Sequence, residues 1–166
     1  MNNTILIGMP GVGKSTIGKL LAKKIKNNYI DTDDAIVGRI KMPLSAYIQL
    51  NGTQKFKELE TSTILSLDVK DCIISTGGSV VYMDGVMHYL KKIGCIIYLE
   101  NNFETIEKRI LNAPDRGLVI TPNQTLKDLY EERIILYQKY ADFVVNCENL
   151  SATQNVNKIL CLVKKN

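Results

Sequence analysis

The chain reads as an α/β protein, a parallel five-stranded sheet held between layers of helices. Three observations predict this. Short apolar runs alternate with stretches of helical periodicity along the 166 residues, the alternation expected of a parallel sheet covered on both faces. The first apolar run ends in a glycine-rich loop that opens directly into a helix. No internal repeat, low-complexity tract or linker interrupts the order, so one domain is expected over residues 1–166.

Thr4–Ile7 is a buried strand, and Lys14–Lys26 is helical through Ile17, Leu20, Leu21 and Ile25. Tyr29–Asp31 is a second, short strand. Asp33–Asn51 holds one or two short helices interrupted at Pro43, and Gly52 is expected to break the chain before a helix that runs to about Asp68. Cys72–Thr76 is the third strand and ends at Gly77-Gly78. A helix at about Asp84–Lys92 leads to the strand Cys95–Leu99, and another follows at Phe103–Leu111. Pro114, Gly117 and Pro122 make Ala113–Gln124 a loop. A helix from about Leu126 to Tyr140, a strand at Phe143–Asn146 and a terminal helix complete the chain.

Hydrophobic residues make up 45% and charged residues 23%, the balance of a soluble globular protein. No apolar run approaches the roughly 18–20 residues that span a bilayer, and the first strand runs straight into the glycine loop, so neither a membrane anchor nor a signal peptide is expected. Lysine and arginine number 21 against 17 acids, a net charge of +4. That excess is too small and too scattered to point to nucleic acid. Cys72, Cys95, Cys147 and Cys161 lie far apart, and the chain has one histidine, which argues against zinc or a disulfide framework and for a reducing cytoplasm. A monomer is expected.

Gly8-Met9-Pro10-Gly11-Val12-Gly13-Lys14-Ser15 matches the phosphate-binding pattern G-x-x-x-x-G-K-[ST] in full, between a buried strand and a helix. Its glycines let backbone N–H groups, those of Gly11, Val12, Gly13, Lys14, Ser15 and Thr16 among them, curl around phosphate oxygens at a helix N-terminus. Lys14 is placed to reach the β- and γ-phosphates, and the Ser15 hydroxyl to ligate Mg²⁺. No N-K-x-D tetrapeptide for guanine occurs. The short length and the proline-containing loop before the last helices favour a P-loop kinase fold with a closing lid.

Beyond this loop the sequence resembles the shikimate kinase family, from the phosphate loop to about Asp142, through five further blocks. Asp31-Thr32-Asp33 ends the second strand. The resemblance implies that Asp31 helps hold Mg²⁺ and that Asp33 hydrogen-bonds substrate hydroxyls and accepts the proton of the attacking one; alternatively Thr32 or Asp33 caps the next helix. Phe56-Lys57-Glu58-Leu59-Glu60 stands where the family has F-R-x-x-E, and its arginine grips the acceptor carboxylate. Lys57 keeps that charge without the two-pronged fork. Thr76-Gly77-Gly78-Ser79 departs from a family run of three glycines whose backbone contacts substrate, because Ser79 adds a side chain.

The last two blocks carry arginines. The chain has 17 lysines and only four arginines, yet three of the four match family guanidinium positions. Arg109 corresponds to the residue that stacks on adenine. Arg116, in Asp115-Arg116-Gly117-Leu118, corresponds to the lid arginine over the phosphates. Arg133, in Glu132-Arg133-Ile134-Ile135-Leu136-Tyr137, corresponds to a partner of the substrate carboxylate. Gly117 replaces a usual proline, which loosens the lid at about 113–124. Arg39 and His88 match nothing functional and are expected at the surface.

The resemblance therefore implies Mg²⁺-dependent transfer of the ATP γ-phosphoryl group to shikimate, giving shikimate 3-phosphate. Lys14, Asp33 and Arg116 would be catalytic, and the acceptor would lie in a region at about 32–60 that reaches Gly77, Gly78, Ser79 and Arg133. Two alternatives stand beside it: a kinase of another polyhydroxy acid such as gluconate, re-specified through Lys57 and Ser79, and a nucleotide-binding module without catalysis.

Overall fold

Five short strands hydrogen-bond in parallel, and their order follows from where the most apolar strand must lie. In the computed structural model, which describes residues 3–112 and 124–163, the strands are Asn3–Ile7 (β1), Asn28–Asp31 (β2), Cys72–Ser75 (β3), Gly94–Glu100 (β4) and Phe143–Asn146 (β5). Their order across the sheet is β2-β3-β1-β4-β5. Every residue of β1 and of β3 is buried, so both faces of the sheet centre are covered, and the predicted α/β architecture with five parallel strands is borne out. Full burial of Ile5, Leu6 and Ile7 contributes about 1.5–3 kcal/mol for each side chain and fixes the point from which the glycine loop springs.

The helices are Lys14–Ile25 (α1), Thr32–Ile40 (α2), Leu44–Leu65 (α3), Asp84–Ile93 (α4), Phe103–Leu111 (α5), Leu126–Tyr140 (α6) and Ala152–Val163 (α7), with a 3₁₀ turn at Val80–Tyr82. Helix α1 packs on β1, β2 and β3 and against α7, while α4 and α6 pack on β4. No helix among the described residues is long and apolar enough to cross a membrane.

The expected break at Gly52 is met: Leu44–Leu65 is two helical segments joined at a kink, with non-helical φ 81° and ψ 161° at that glycine. Those angles are essentially restricted to glycine, so the residue absorbs the whole kink while the turns on either side stay helical. Pro43 does end the preceding segment: Lys41 closes α2 in a left-handed conformation, and α3 starts after Pro43.

Parallel register brings the functional loops to one edge. Asp31 lies opposite Ser75 and Leu6 opposite Ser75 from the other side, so the loops after β1, β2 and β3 emerge side by side at the carboxyl ends of the strands. Ligands of open α/β sheets bind at that edge.

Candidate active site

The glycine loop is held down by its apolar members. Met9 and Val12 are buried, and Gly8, Gly11 and Gly13 all take positive φ. The loop therefore turns tightly and delivers the N-terminus of α1 into the crevice. Lys14 is buried, and its Nζ donates to the carbonyls of Gly8 at 2.7 Å and Met9 at 3.0 Å. The ammonium is thus folded along the loop that it would serve.

Asp31 is the hub of the next loop. Its Oδ2 accepts from Ser15 Oγ at 2.8 Å and from the Tyr29 hydroxyl at 3.0 Å. Burial pushes the Tyr29 phenol up to about 12, so it stays a neutral donor. Asp31 Oδ1 accepts from the backbone N–H of Asp33 at 3.1 Å, which makes Asp31 the N-cap of α2. The capping alternative at Thr32 or Asp33 is corrected accordingly: the cap is one residue earlier, and Asp33 is left half-buried at the cavity wall. The buried Thr32 hydroxyl instead accepts from the Gly77 N–H at 3.2 Å, tying the second and third loops together.

Beneath Gly77 lies the acid that ends the Phe56–Glu60 block. Glu60 is fully buried; its Oε2 accepts from Ser79 Oγ at 3.0 Å, and its Oε1 has no hydrogen-bond partner among the described residues. Desolvation, and then the nearby Asp33 charge, push its carboxyl up to about 7, against the pull of Ser79, Arg133 and Lys57. A side chain on Gly77 would lie 2.6 Å from Glu60 Oε1 and 2.9 Å from Asp33 Oδ1. A methyl group at this position would therefore push the two carboxyl ends aside.

Arg133 completes the wall. Only 1% exposed, it donates from Nε to the Tyr82 hydroxyl at 3.3 Å and lies 5.3 Å from the centre of that ring. Among the described residues no carboxylate lies within ion-pair distance of it. Tyr137, one turn further along α6, donates to the Gly78 carbonyl at 2.8 Å and stacks on Tyr98, which fixes α6 against the loop after β3.

These groups surround a cavity of about 400 Å³ lined by Gly11, Gly13, Lys14, Ser15, Thr16, Asp31, Asp33, Gly77, Gly78, Ser79 and Arg133, with Pro10, Val37 and Phe56 as apolar wall. Lys57 is not among its lining residues: it is half-buried on α3, close enough for its charge to act on Glu60. A second cavity, also of about 400 Å³, adjoins the same loop at Gly11, Val12, Gly13 and Thr16 and is walled by Arg109, Asn101, Cys147, Leu150 and Asn155. There Arg109 Nη1 donates to the carbonyls of Gly11 at 3.0 Å and Val12 at 3.3 Å. The expectations for Arg116 and for the lid fall on 113–123, outside the described residues. Arg39 and His88 are exposed; Arg39 donates to Thr63 Oγ1 at 2.8 Å, and His88 lies 3.1 Å from Asp84.

Sequence reasoning missed Phe56 in the wall of the first cavity, Glu60 behind Gly77, and the far wall of the second cavity. Glu60 and Phe56 carried a signal, since both belong to the quoted F-x-x-x-E block. Asn101, Leu150 and Asn155 carried none, because no phosphate-binding or acceptor motif extends to them.

A metal would have to be shared with a ligand. Among the described residues no group of three or more histidines, cysteines or acids could hold one. Ser15 and Asp31, 2.8 Å apart, offer hard oxygen donors of the kind Mg²⁺ takes together with substrate phosphates, so the residues present fit that ion.

The family model for shikimate kinase matches residues 10–164. A shikimate kinase of Thermodesulfovibrio yellowstonii is 36% identical over 163 residues, covering 96% of this chain and 94% of the relative. The solved structure of Acinetobacter baumannii shikimate kinase in complex with shikimate superposes with a TM-score of 0.93 at 27% identity, covering 99% of this chain and 94% of that one. A gluconokinase of Sinorhizobium meliloti shares the fold alone, at 13% identity and a TM-score of 0.64.

Proposed function

The chain belongs to the shikimate kinase family, and from that premise we propose that it phosphorylates shikimate with ATP to give shikimate 3-phosphate. The observation that carries the reading is the cavity in which the phosphate loop, Asp33 and Arg133 meet. A buried guanidinium with no carboxylate in ion-pair distance among the described residues is a costly arrangement for the protein alone and a suitable one for an anionic acceptor. The likeness in fold to a gluconokinase does not choose the acceptor; the family relationship and Arg133 favour a carboxylate-bearing one.

In this reading the acceptor carboxylate pairs with Arg133, whose flat fork matches two oxygens at once. Lys57 adds a second positive charge from α3 through its flexible stem. The backbone at Gly77 and Gly78 leaves room for the hydroxyl face of the substrate beside Asp33, which orients the attacking hydroxyl and takes its proton. Lys14 releases the carbonyls of Gly8 and Met9 to meet the β- and γ-phosphates, and Arg116 covers them from the lid at about 113–124. Little covalent work falls to the protein in such a transfer, so positioning and charge neutralisation carry the rate. Ser15 and Asp31 would hold Mg²⁺, which when bound neutralises charge on the phosphates. Arg109 packs against the adenine.

We also propose one kinase domain over residues 1–166, acting as a monomer in the cytoplasm without nucleic-acid or membrane partners. The four free cysteines and the scattered charge support this. The test is ADP release by the purified protein with Mg-ATP, alone, with shikimate and with gluconate. Stimulation by shikimate only is expected. Stimulation by gluconate, or by neither at full ATP binding, would overturn the acceptor assignment.

A further inference from the structure

We infer that Asn155 recognises the nucleotide base, its side-chain amide reading the edge of adenine in the second cavity and setting a preference for ATP over GTP. The inference rests on the kinase reading above, which brings a nucleoside triphosphate to the glycine loop.

The loop residues Gly11, Gly13 and Thr16 line both cavities. With the acceptor and the γ-phosphate on the Asp33 and Arg133 side, the nucleoside is directed to the other. That second cavity, at about 400 Å³, lies within the roughly 300–1,000 Å³ of ordinary small-ligand sites. Arg109 supplies a planar cation on its wall, and Val12 and Leu150 supply apolar surface. A base fits such walls, yet none of them distinguishes one purine from another.

Asn155 does. It lies in the first turns of α7, on the face that Val156 and Ile159 also bury, and is only 2% exposed. Helix packing at such a position calls for an apolar residue, and a buried amide is disfavoured there unless it is hydrogen-bonded. Its Oδ1 has no partner among the described residues, a condition shared there only with Glu60 Oε1. An amide presents a donor and an acceptor side by side. On its N7 edge adenine offers the matching pair, the N6 amino donor beside the N7 acceptor, whereas guanine presents two acceptors there, O6 and N7. The same side chain that is unsatisfied in the protein alone is thus complementary to one purine and mismatched to the other.

The test is calorimetric titration of the whole protein, without acceptor, with Mg-ATP, Mg-GTP and the purine riboside triphosphate that lacks the 6-amino group. Wild type is expected to favour ATP over both by roughly five- to a hundred-fold, the discrimination of one bidentate amide–base pair. Asn155→Leu has nearly the same shape; it should compress both ratios to within about twofold, while the melting temperature is unchanged or higher because an unpaired buried oxygen is gone. A folded Asn155→Leu protein that keeps the full ratios overturns the inference. So does a wild type that binds all three nucleotides equally, a result that needs no variant. A wild type that binds no nucleotide overturns the kinase reading and this inference with it, whereas tight ATP binding without base preference overturns this inference alone.

Discussion

The Ser79 hydroxyl donates a 3.0 Å hydrogen bond to Glu60 Oε2, while Oε1 of the same carboxyl is buried without a partner among the described residues. Ser79 stands where the family has a third glycine, so this chain carries a donor to its buried acid that a glycine could not supply. The pair sits directly behind Gly77, which lines the acceptor cavity, and the charge of Glu60 is therefore felt by Asp33.

Glu60 makes stability depend on pH. Its carboxyl is raised from 4.5 to about 7 by burial. Between those values the folded protein holds a proton that the unfolded chain has lost, so stability falls as pH rises from 4.5 towards 7 and levels off above it. Glu60→Gln is neutral throughout and lacks this slope. Relative to wild type, the variant should gain about 2–3 kcal/mol between pH 5 and pH 8, read by urea denaturation at both. An unchanged difference would mean that Glu60 is ionised in the folded state throughout.

Ser79→Ala should act in the opposite pH direction. The Ser79 hydrogen bond favours the charged carboxylate, so its loss raises the Glu60 pKa further and leaves a buried anion less satisfied. The expected cost is about 1–3 kcal/mol at pH 8 and markedly less at pH 5, where the carboxyl carries its proton. Equal destabilisation at both values would point to lost packing instead.

The two cations of the acceptor region are expected to differ in weight. Arg133 lines the cavity and is almost fully buried, whereas Lys57 is half-buried and outside the lining. Arg133→Lys loses the two-pronged contact and should raise the KM for shikimate at least about tenfold with little change for ATP. Lys57→Ala should raise it only a few-fold, as expected for a partly screened charge. Steady-state kinetics against both substrates decides this, and the reverse ranking would make Lys57 the principal carboxylate partner.

The legible parts of this protein are those encoded by contiguous residues. Eight adjacent positions specify the loop from Gly8 to Ser15, and its strand and helix flanks are where the apolar pattern puts them. Arg133 was legible as a motif member but its burial was not. It falls in the stripe Leu129, Arg133, Tyr137 that α6 turns inward, and a charged residue in such a stripe is the signal that spacing alone could have given. The second cavity was illegible because its far walls come from α5 and α7 and the segments that follow β4, α5 and β5, and meet only when the sheet is assembled. Gly52 was legible as a break, because a lone glycine inside a helical pattern marks the point where the backbone leaves helical φ and ψ.

Two glycines separate backbone from site effects. At Gly52 an added side chain meets nothing within 4 Å, so Gly52→Ala is opposed only by the φ of 81° and ψ of 161° at the kink. It should lose about 1–3 kcal/mol of stability while the kcat of the folded fraction changes little. At Gly77 φ is unexceptional, but the added carbon would press on Glu60 Oε1 at 2.6 Å and Asp33 Oδ1 at 2.9 Å. Gly77→Ala should therefore displace the proposed base and lower kcat by about a hundredfold, since misplacement by an ångström is enough for that. Thermal denaturation and turnover measured on both variants give the contrast. If Gly52→Ala lost turnover as severely as Gly77→Ala, the kink in α3 would have to be coupled to the acceptor site, and the separation between bending the helix and spacing the acids would fail.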